Sequence, residues 1–283
     1  MRIDAHQHYW EISKGYYDWI NENDDVLYKD YQPSDLNPLL VNHKMDQSVT
    51  VQASPLLEDT QYLLKLSEIN KSIAGVVGWV DMTSSTYQDD LEKLKQHPKF
   101  VGIRVMIQDM ADAEILLNKT YLNAFSYLED NQIPVDLLIK EHQLPVIVQL
   151  LKQVPELKAV IDHLGKPNIV DGDPGFWKRY MKEVATFANV YCKVSGLVTE
   201  AKKDWEQEDF VPYIQHTVQM FGISRVMFGS DWPVCLLAAS YDDVITIVEE
   251  ALSTQLTGKE FDQLFGGNAI RFYSLENTIL LPE

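Results

Sequence analysis

The chain has 283 residues, 46% of them hydrophobic, which suffices for one large core and suits an α/β barrel. Its net charge of −18 and its pI near 4.7 argue against nucleic acid or an anionic membrane as a partner. No apolar run reaches the ~18 residues of a membrane span, and no signal-peptide pattern opens the chain. We therefore expect a cytoplasmic protein whose two cysteines are buried free thiols.

The first predicted element is a short strand that ends in two histidines. His6 and His8 are two residues apart, and such residues on a strand point to the same face. Two convergent imidazoles suit a divalent metal or a carbonyl group that needs polarising. An isolated pair of this kind could equally be a surface feature. The aromatic-rich loop that follows, over residues 10–35, could line a sugar-sized pocket or cap the fold.

Helices and strands then alternate to the end of the chain. A helix over 35–43, with Ser34 or Asp35 as its N-cap, precedes seven further strands. The strands are predicted at 47–53, 73–81, 100–106, 133–139, 157–163, 190–196 and 225–231. The helices between and after them are predicted at 59–70, 87–96, 110–131 (one or two), 141–154, 177–187, 211–220, 241–252 and 259–265.

This alternation favours an α/β protein with one (β/α)8 TIM barrel domain over residues 1–283. A doubly wound open sheet would require a glycine-rich phosphate loop after the first strand, and the sequence has none there. Barrel enzymes carry their active sites at the C-terminal ends of the strands. The candidate residues at or near those ends are His6, His8, Gln52, Trp79, Asp81, Arg104, Asp136, Lys140, His163, Lys193, Ser195 and Asp231.

Four of these residues form a chemically meaningful set, namely His6, His8, His163 and Asp231. They could hold one divalent ion with an open position for water. Alternatively, the histidines polarise a substrate carbonyl directly while Asp231 acts as general base. Arg104 and Lys193 are cations in apolar strands and would face either a polar pocket or a partner carboxylate. The remaining histidines are expected to be surface or packing residues; they are His43, His97, His142 and His216.

Three segments resemble the signatures of one branch of the amidohydrolase superfamily, and weaker likeness covers nearly the whole chain. The three signatures are Asp4–Trp10, Ile161–Pro167 and Phe228–Pro233; the further segments are Gly102–Arg104, Val135–Leu138 and Phe265–Ala269. That branch includes lactonases for L-fuconolactone and L-rhamnonolactone and is related to dicarboxylate-lactone hydrolases. The resemblance implies a (β/α)8 barrel with a metal site on His6, His8 and Asp231, and with His163 as a further ligand or carbonyl-polarising group.

The chain also departs from the superfamily pattern. Binuclear members carry a carboxylated lysine or a Glu as bridging ligand and two later histidines, whereas here His163 alone fills the second set and Lys140 is the candidate bridge. At most one metal, zinc or manganese, is therefore expected, and metal-independent catalysis stays open because some relatives work without a metal. Many relatives follow the strand-four Arg with His, where this chain has Val105.

The predicted function is hydrolysis of a small-molecule sugar lactone, with Asp231 taking a proton from the attacking water. The predicted substrate-binding residues are Arg104, Lys193, Gln52, Trp79 and Trp232. A metal-dependent non-oxidative decarboxylase and a dicarboxylate-lactone hydrolase are the alternatives. A non-catalytic binding barrel is disfavoured, because it would have no physical reason to keep four polar groups convergent. The aromatic loop would also serve a subunit interface, which leaves a homo-oligomer open.

Overall fold

The structure, a computed structural model, describes residues 1–170 and 174–278. In those residues, parallel strands form one sheet in which each strand pairs with the next along the chain. The strands are β1 (Ile3–Gln7), β2 (Gln47–Val51), β3 (Ile73–Gly78), β4 (Phe100–Met106), β5 (Val135–Leu138), β6 (Ala159–Ile161), β7 (Val190–Val194) and β8 (Val226–Phe228).

Helices follow the strands and cover the outside of the sheet. They are α1 (Pro33–Asn42), α2 (Leu57–Ile69), α3 (Tyr87–Lys95), α4 (Lys119–Asp130), α5 (Leu144–Gln153), α6 (Gly175–Val184), α7 (Val211–Phe221), α8 (Tyr241–Leu252), α9 (Gly258–Asp262) and α10 (Asn268–Tyr273). A 3-10 turn at Ala113–Leu117 precedes α4, and a π-helical turn at Gln263–Gly267 joins α9 to α10. None of the described helices has the length and apolar character that a membrane crossing requires.

The sheet closes just beyond the end of β8. Gln7 of β1 forms a parallel bridge with Trp232, and the Asp231 N–H donates to the His6 carbonyl at 2.8 Å. Gly229 permits this close approach, because a Cβ there would lie 2.5 Å from the Cβ of His6. The structure is thus the predicted (β/α)8 barrel. Closure of the barrel places His6, from the first strand, beside Asp231, which follows the last strand.

The strands are buried on both of their faces, including the polar side chains of β2. All residues of β2 and β3 are buried, as expected for parallel strands covered on both sides. The larger hydrophobic cluster packs strands against helices, and its biggest buried side chains include Trp10 and Trp177. A second cluster joins residues of the strands, such as Val49 and Val160, to Phe272 near the C-terminus.

The start of α1 differs from the prediction. The helix begins at Pro33 with Gln32 as its N-cap, rather than with Ser34 or Asp35. Asp35 instead occupies the third helical position, and its carboxylate accepts a hydrogen bond from the Gln32 N–H at 2.8 Å. Proline fits the first turn of a helix because N–H groups there have no partner within the helix, so the lack of an N–H in proline breaks no hydrogen bond. The cap therefore moved two residues upstream.

Candidate active site

A cavity of about 370 Å³ lies at the C-terminal end of the barrel. This volume falls within the ~300–1,000 Å³ range of small-molecule sites. Residues that follow strands line it, and four of them were predicted as site residues: His8, Arg104, His163 and Asp231. The other lining residues are Trp19, Ala53, Met106, Gln108, Asp109, Leu138, Lys166 and Val234.

Two of the central residues lie beyond their strands rather than at the strand ends. β6 stops at Ile161 and β8 at Phe228, two and three residues earlier than predicted. The reason is the backbone of His163 and Asp231, whose φ angles of 53° and 58° belong to the left-handed region and end an extended strand. Such strained residues persist where the surrounding structure holds them, and they cluster at functional sites.

His6, His8 and Asp231 bring three ligand-type atoms together. The Nε2 atoms of the two histidines lie 3.2 Å apart, as the i, i+2 spacing predicted. Oδ1 of Asp231 lies 3.7 Å from Nε2 of His6 and 3.4 Å from Nε2 of His8. Nε2 of His163 approaches the same carboxylate oxygen at 3.9 Å. Three imidazoles therefore face one carboxylate.

Polar groups on the outer sides of the rings hold His6 and His8 by their Nδ1 atoms. Nδ1 of His8 lies 2.7 Å from the Val51 carbonyl, which can only accept, so this nitrogen carries a proton. Nδ1 of His6 lies between a donor and an acceptor, 3.0 Å from the Lys193 ammonium and 3.3 Å from a carboxylate oxygen of Asp162. A carboxylate or carbonyl behind an imidazole is the common support of a metal-binding histidine.

The donor set fits one divalent metal. Ligands about 2.0–2.2 Å from a tetrahedral zinc lie about 3.3–3.6 Å apart. The three distances among His6, His8 and Asp231, which run from 3.2 to 3.7 Å, match this spacing. Two imidazoles and one carboxylate are also a usual ligand set for zinc. His163 lies on the same side and could join them.

Burial determines the charges in this cluster. It lowers the pKa of His163 to about 4 and holds that of His6 well below its ordinary value, although nearby carboxylates favour the charged forms. Both imidazoles are therefore neutral near pH 7. Burial alone would raise the pKa of Asp231, but the surrounding imidazoles outweigh it and place this pKa below its usual range. Asp231 is thus ionised, as a metal ligand or a general base must be.

Lys193 does not reach the cavity. Its fully buried ammonium lies 2.5 Å from Oδ2 of Asp136, 3.0 Å from Oδ1 of Asp162 and 3.0 Å from Nδ1 of His6. The Tyr273 hydroxyl donates to the other Asp136 oxygen at 2.7 Å. The structural ion pair that the sequence left open is thus what the geometry shows, and a contact between Lys193 and substrate has no support.

Arg104 lines the cavity and also approaches Asp162, one of the two buried carboxylates that pair with Lys193. Its Nη2 donates to the main-chain carbonyl of Gln52, and its Nη1 lies 3.9 Å from Asp162. Its Nε is buried without a hydrogen-bond partner in the structure. The side-chain amide of Gln52 is buried and likewise unpaired, but Gln52 does not line the cavity. Gln52 therefore acts on Arg104 through its backbone.

Three other predicted residues lie away from the cavity lining. Trp232 is buried, and its ring packs edge-on against Tyr9 and Tyr31. Trp79 is partly buried, and its main-chain N–H donates to the Thr60 hydroxyl. Lys140, the candidate bridging ligand, is exposed and lines a different cavity. None of these positions supports the direct contacts that the sequence suggested.

Comparison with known proteins decides the family. A model of the amidohydrolase family matches residues 3–275. The chain is 37% identical over 281 residues to an L-fucono-1,5-lactonase of Burkholderia ambifaria, covering 98% of this chain and 96% of that one. It is 36% identical to an L-fucono-1,5-lactonase of Burkholderia multivorans, with 97% and 96% covered. This chain belongs to the amidohydrolase family.

Solved structures agree with that assignment. The crystal structure of a Burkholderia multivorans amidohydrolase with bound zinc superposes with a TM-score of 0.91 at 35% identity, covering 97% of this chain and 99% of that one. The predicted membership of the amidohydrolases is therefore confirmed along the chain.

Sequence reasoning missed several residues that line the cavity. Lys166 lies inside the segment Ile161–Pro167, whose likeness to the family was recognised, but only its histidine was chosen. Trp19 belongs to the aromatic loop, and no signal separates it from its neighbours Trp10 and Tyr17, which are buried. Gln108 and Asp109 follow β4 and carry no motif. A systematic choice of the residues just beyond each strand would have found these polar groups.

Proposed function

We propose that this amidohydrolase opens a 1,5-lactone of a deoxy sugar acid, with L-fucono-1,5-lactone as the model substrate. The observation that carries the proposal is a sugar-sized cavity whose floor presents an ionised carboxylate to three imidazoles. The full-length relationship to two L-fucono-1,5-lactonases supports the substrate class. The reaction would add water across the ring ester and give the open-chain sugar acid.

Asp231 is the proposed general base. A water held between its carboxylate and the lactone carbonyl loses a proton to Asp231 as its oxygen bonds to the carbonyl carbon. The ring C–O bond then breaks, and the departing ring oxygen takes the proton from Asp231. The leaving group stays tethered to the product, so one residue can serve as base and then as acid. No other proton donor is required.

His163 is the proposed group that polarises the carbonyl. Its Nδ1 lies 2.8 Å from the Ser195 hydroxyl. When Ser195 donates its proton in that bond, His163 carries its own proton on Nε2, the nitrogen that faces Asp231 and the cavity. A neutral imidazole can then donate to the carbonyl oxygen as negative charge develops there. The pKa of about 4 keeps the ring neutral over the working pH range.

His6, His8 and Asp231 would hold one divalent metal, for which zinc is the first choice, given the zinc-bound relative and the ligand spacing; His163 also has a ligand atom within 4.8 Å of those of His6 and Asp231. When bound, the metal lowers the pKa of water and polarises the carbonyl. The protein's part is to orient both imidazoles, through Val51 behind His8 and Asp162 behind His6, while burial keeps His6 neutral. Removing either support should weaken metal binding.

Substrate hydroxyls would be bound by the polar rim of the cavity. Arg104 supplies guanidinium donors, while Gln108 and Asp109 add an amide and a carboxylate. Trp19 offers an aromatic face at the opening, with its indole N–H tied to the Ala53 carbonyl at 2.8 Å. The apolar side chains of Met106 and Leu138 would contact the carbon face of the sugar ring.

A pH-indicator assay on a panel of aldono-1,5- and 1,4-lactones tests the proposal directly. The protein is assayed as purified, after chelation, and after addition of one equivalent of zinc or manganese. We expect fastest hydrolysis of 6-deoxy 1,5-lactones, loss of activity on chelation, and recovery with one equivalent of metal. Activity that survives chelation would contradict the metal site, and failure on every lactone would contradict the function.

A further inference from the structure

The lysine that lines the cavity beside His163 is already paired with an acid. Nζ of Lys166 lies 3.1 Å from Oε1 of Glu200, and the two side chains are only 19% and 26% exposed. Glu200 does not line the active-site cavity; it lines a neighbouring cavity, to which Lys166 also contributes. Lys166 therefore stands between the two cavities, and its charge is compensated from the side away from a bound substrate.

The backbone holds Lys166 in this position. The four residues from His163 to Lys166 have φ angles of 53°, 54°, 71° and 49°, which form one left-handed turn. Such a turn is rare, because each non-glycine residue in it costs about 1–2 kcal/mol. It places His163 and Lys166, three residues apart, at the same cavity. Lys166 is thus a fixed part of the wall.

The other cation of the cavity is also compensated. Arg104 donates to the Gln52 carbonyl and lies near the buried carboxylate of Asp162. Two carboxylates, Asp109 and Asp231, line the cavity as well. Among the lining residues that the structure describes, both cations therefore have an acidic partner. A carboxylate on the sugar ring would find no uncompensated cation among them, and transferring such a charge without a partner is costly.

We propose that the Lys166–Glu200 ion pair makes the site select neutral sugar lactones over lactones that carry a carboxylate. The inference rests on the proposed lactone hydrolysis and narrows its substrate class. The Lys166 ammonium has three donors, so it can bind a sugar hydroxyl while it keeps its bond to Glu200. A carboxylate would compete with Glu200 for the same cation and be repelled by it.

The test compares L-galactono-1,4-lactone with galactaro-1,4-lactone, which carries a carboxylate in place of the C6 hydroxymethyl group. The wild-type protein should favour the neutral lactone at least tenfold in kcat/KM. Glu200→Gln removes the competing charge and keeps a hydrogen-bond acceptor. It should raise kcat/KM for galactarolactone about fivefold relative to the neutral lactone, the effect of a partly buried ion pair.

Two further variants keep the result specific. Glu141→Gln removes a carboxylate that lines the same neighbouring cavity without pairing with Lys166, and it should leave the preference unchanged. Adding Lys166→Met to Glu200→Gln should abolish the gain on galactarolactone. A wild-type protein that accepts both lactones equally, or a Glu200→Gln variant that changes both by the same factor, would overturn the proposal.

A binding measurement separates this proposal from the proposed function. If the wild-type protein hydrolyses no lactone, the proposed function has failed, but the cavity can still be titrated calorimetrically with L-galactonate and galactarate. These acids differ only at C6. Galactarate binding that tightens in Glu200→Gln, while L-galactonate binding does not, supports the selectivity of the ion pair. Equal shifts for both acids contradict it.

Discussion

At the scale of single residues, the site is organised around Asp231. Its backbone N–H is bonded to the His6 carbonyl, and its carboxylate faces His6, His8 and His163. The sequence predicted that these four side chains converge, because a histidine pair at a strand end and an Asp after the last strand carry local signals. Which lysine lines the cavity was not predictable, since Lys193 and Lys166 are equally plausible until their partners are known.

Asp231→Asn keeps the size of the side chain and removes its basicity. We expect kcat on a lactone substrate to fall by about 10²–10⁴, the usual contribution of a general base. The melting temperature should stay close to that of the wild type, because the backbone bond to His6 is retained. Asp242→Asn is the control, since that side chain is 69% exposed on α8. More than a tenth of wild-type activity in Asp231→Asn would rule out the role.

At the scale of elements, the segment after β7 determines where His163 lies. Gly196 has a φ of +60°, and a Cβ there would lie 2.5 Å from Nδ1 of His163. The preceding residue, Ser195, bonds to that same nitrogen. The imidazole is therefore packed against backbone on one side and held by a hydroxyl on the other. This arrangement joins residues from two different strands, so no single segment reveals it.

Gly196→Ala should move His163 and damage catalysis more than stability. We expect kcat to fall at least tenfold, because displacing a reacting group by even about 1 Å costs that much or more. The folded state should lose about 1–3 kcal/mol from the clash and the unfavourable φ. Gly222→Ala is the matched control: its φ is +71°, but a Cβ there would meet nothing within 4 Å. The control should lose stability alone, and an equal loss of kcat in both variants would contradict the role of Gly196.

At the scale of the whole molecule, the barrel buries charged groups and neutral imidazoles, and the buried imidazoles reduce the free energy of unfolding at acid pH. Asp136, Asp162 and Lys193 form a fully buried network below the cavity. Burying charges rarely adds net stability over an apolar core, so this network is better explained by its contact with His6. His163 adds a neutral imidazole that the folded state protonates only with difficulty.

The metal-free protein should therefore lose stability as the pH falls from 7 to 5. The pKa of His163 is about 4 in the folded state against 6.5 when unfolded, so unfolding takes up a proton in this range. The stabilisation is complete above pH 6.5 and is lost as the pH falls toward 4. His163→Gln should abolish roughly 2 kcal/mol of this loss, as measured by urea unfolding at both pH values. An identical pH dependence in the two proteins would show that folding leaves the pKa of His163 unchanged.

Local sequence patterns were enough to predict the order of strands and helices, the barrel, and the histidines and Asp231 that converge at its C-terminal end. Apolar periodicity and the i, i+2 histidine pair are local patterns, so they can be recognised in the sequence without knowing the fold. Three features could be seen only in the folded protein. They are the left-handed turn after β6, the pairing of Lys193 with Asp136, and the positions of Lys166 and Trp19 at the cavity. These features depend on contacts between residues far apart in the chain, and on backbone angles that propensity disfavours.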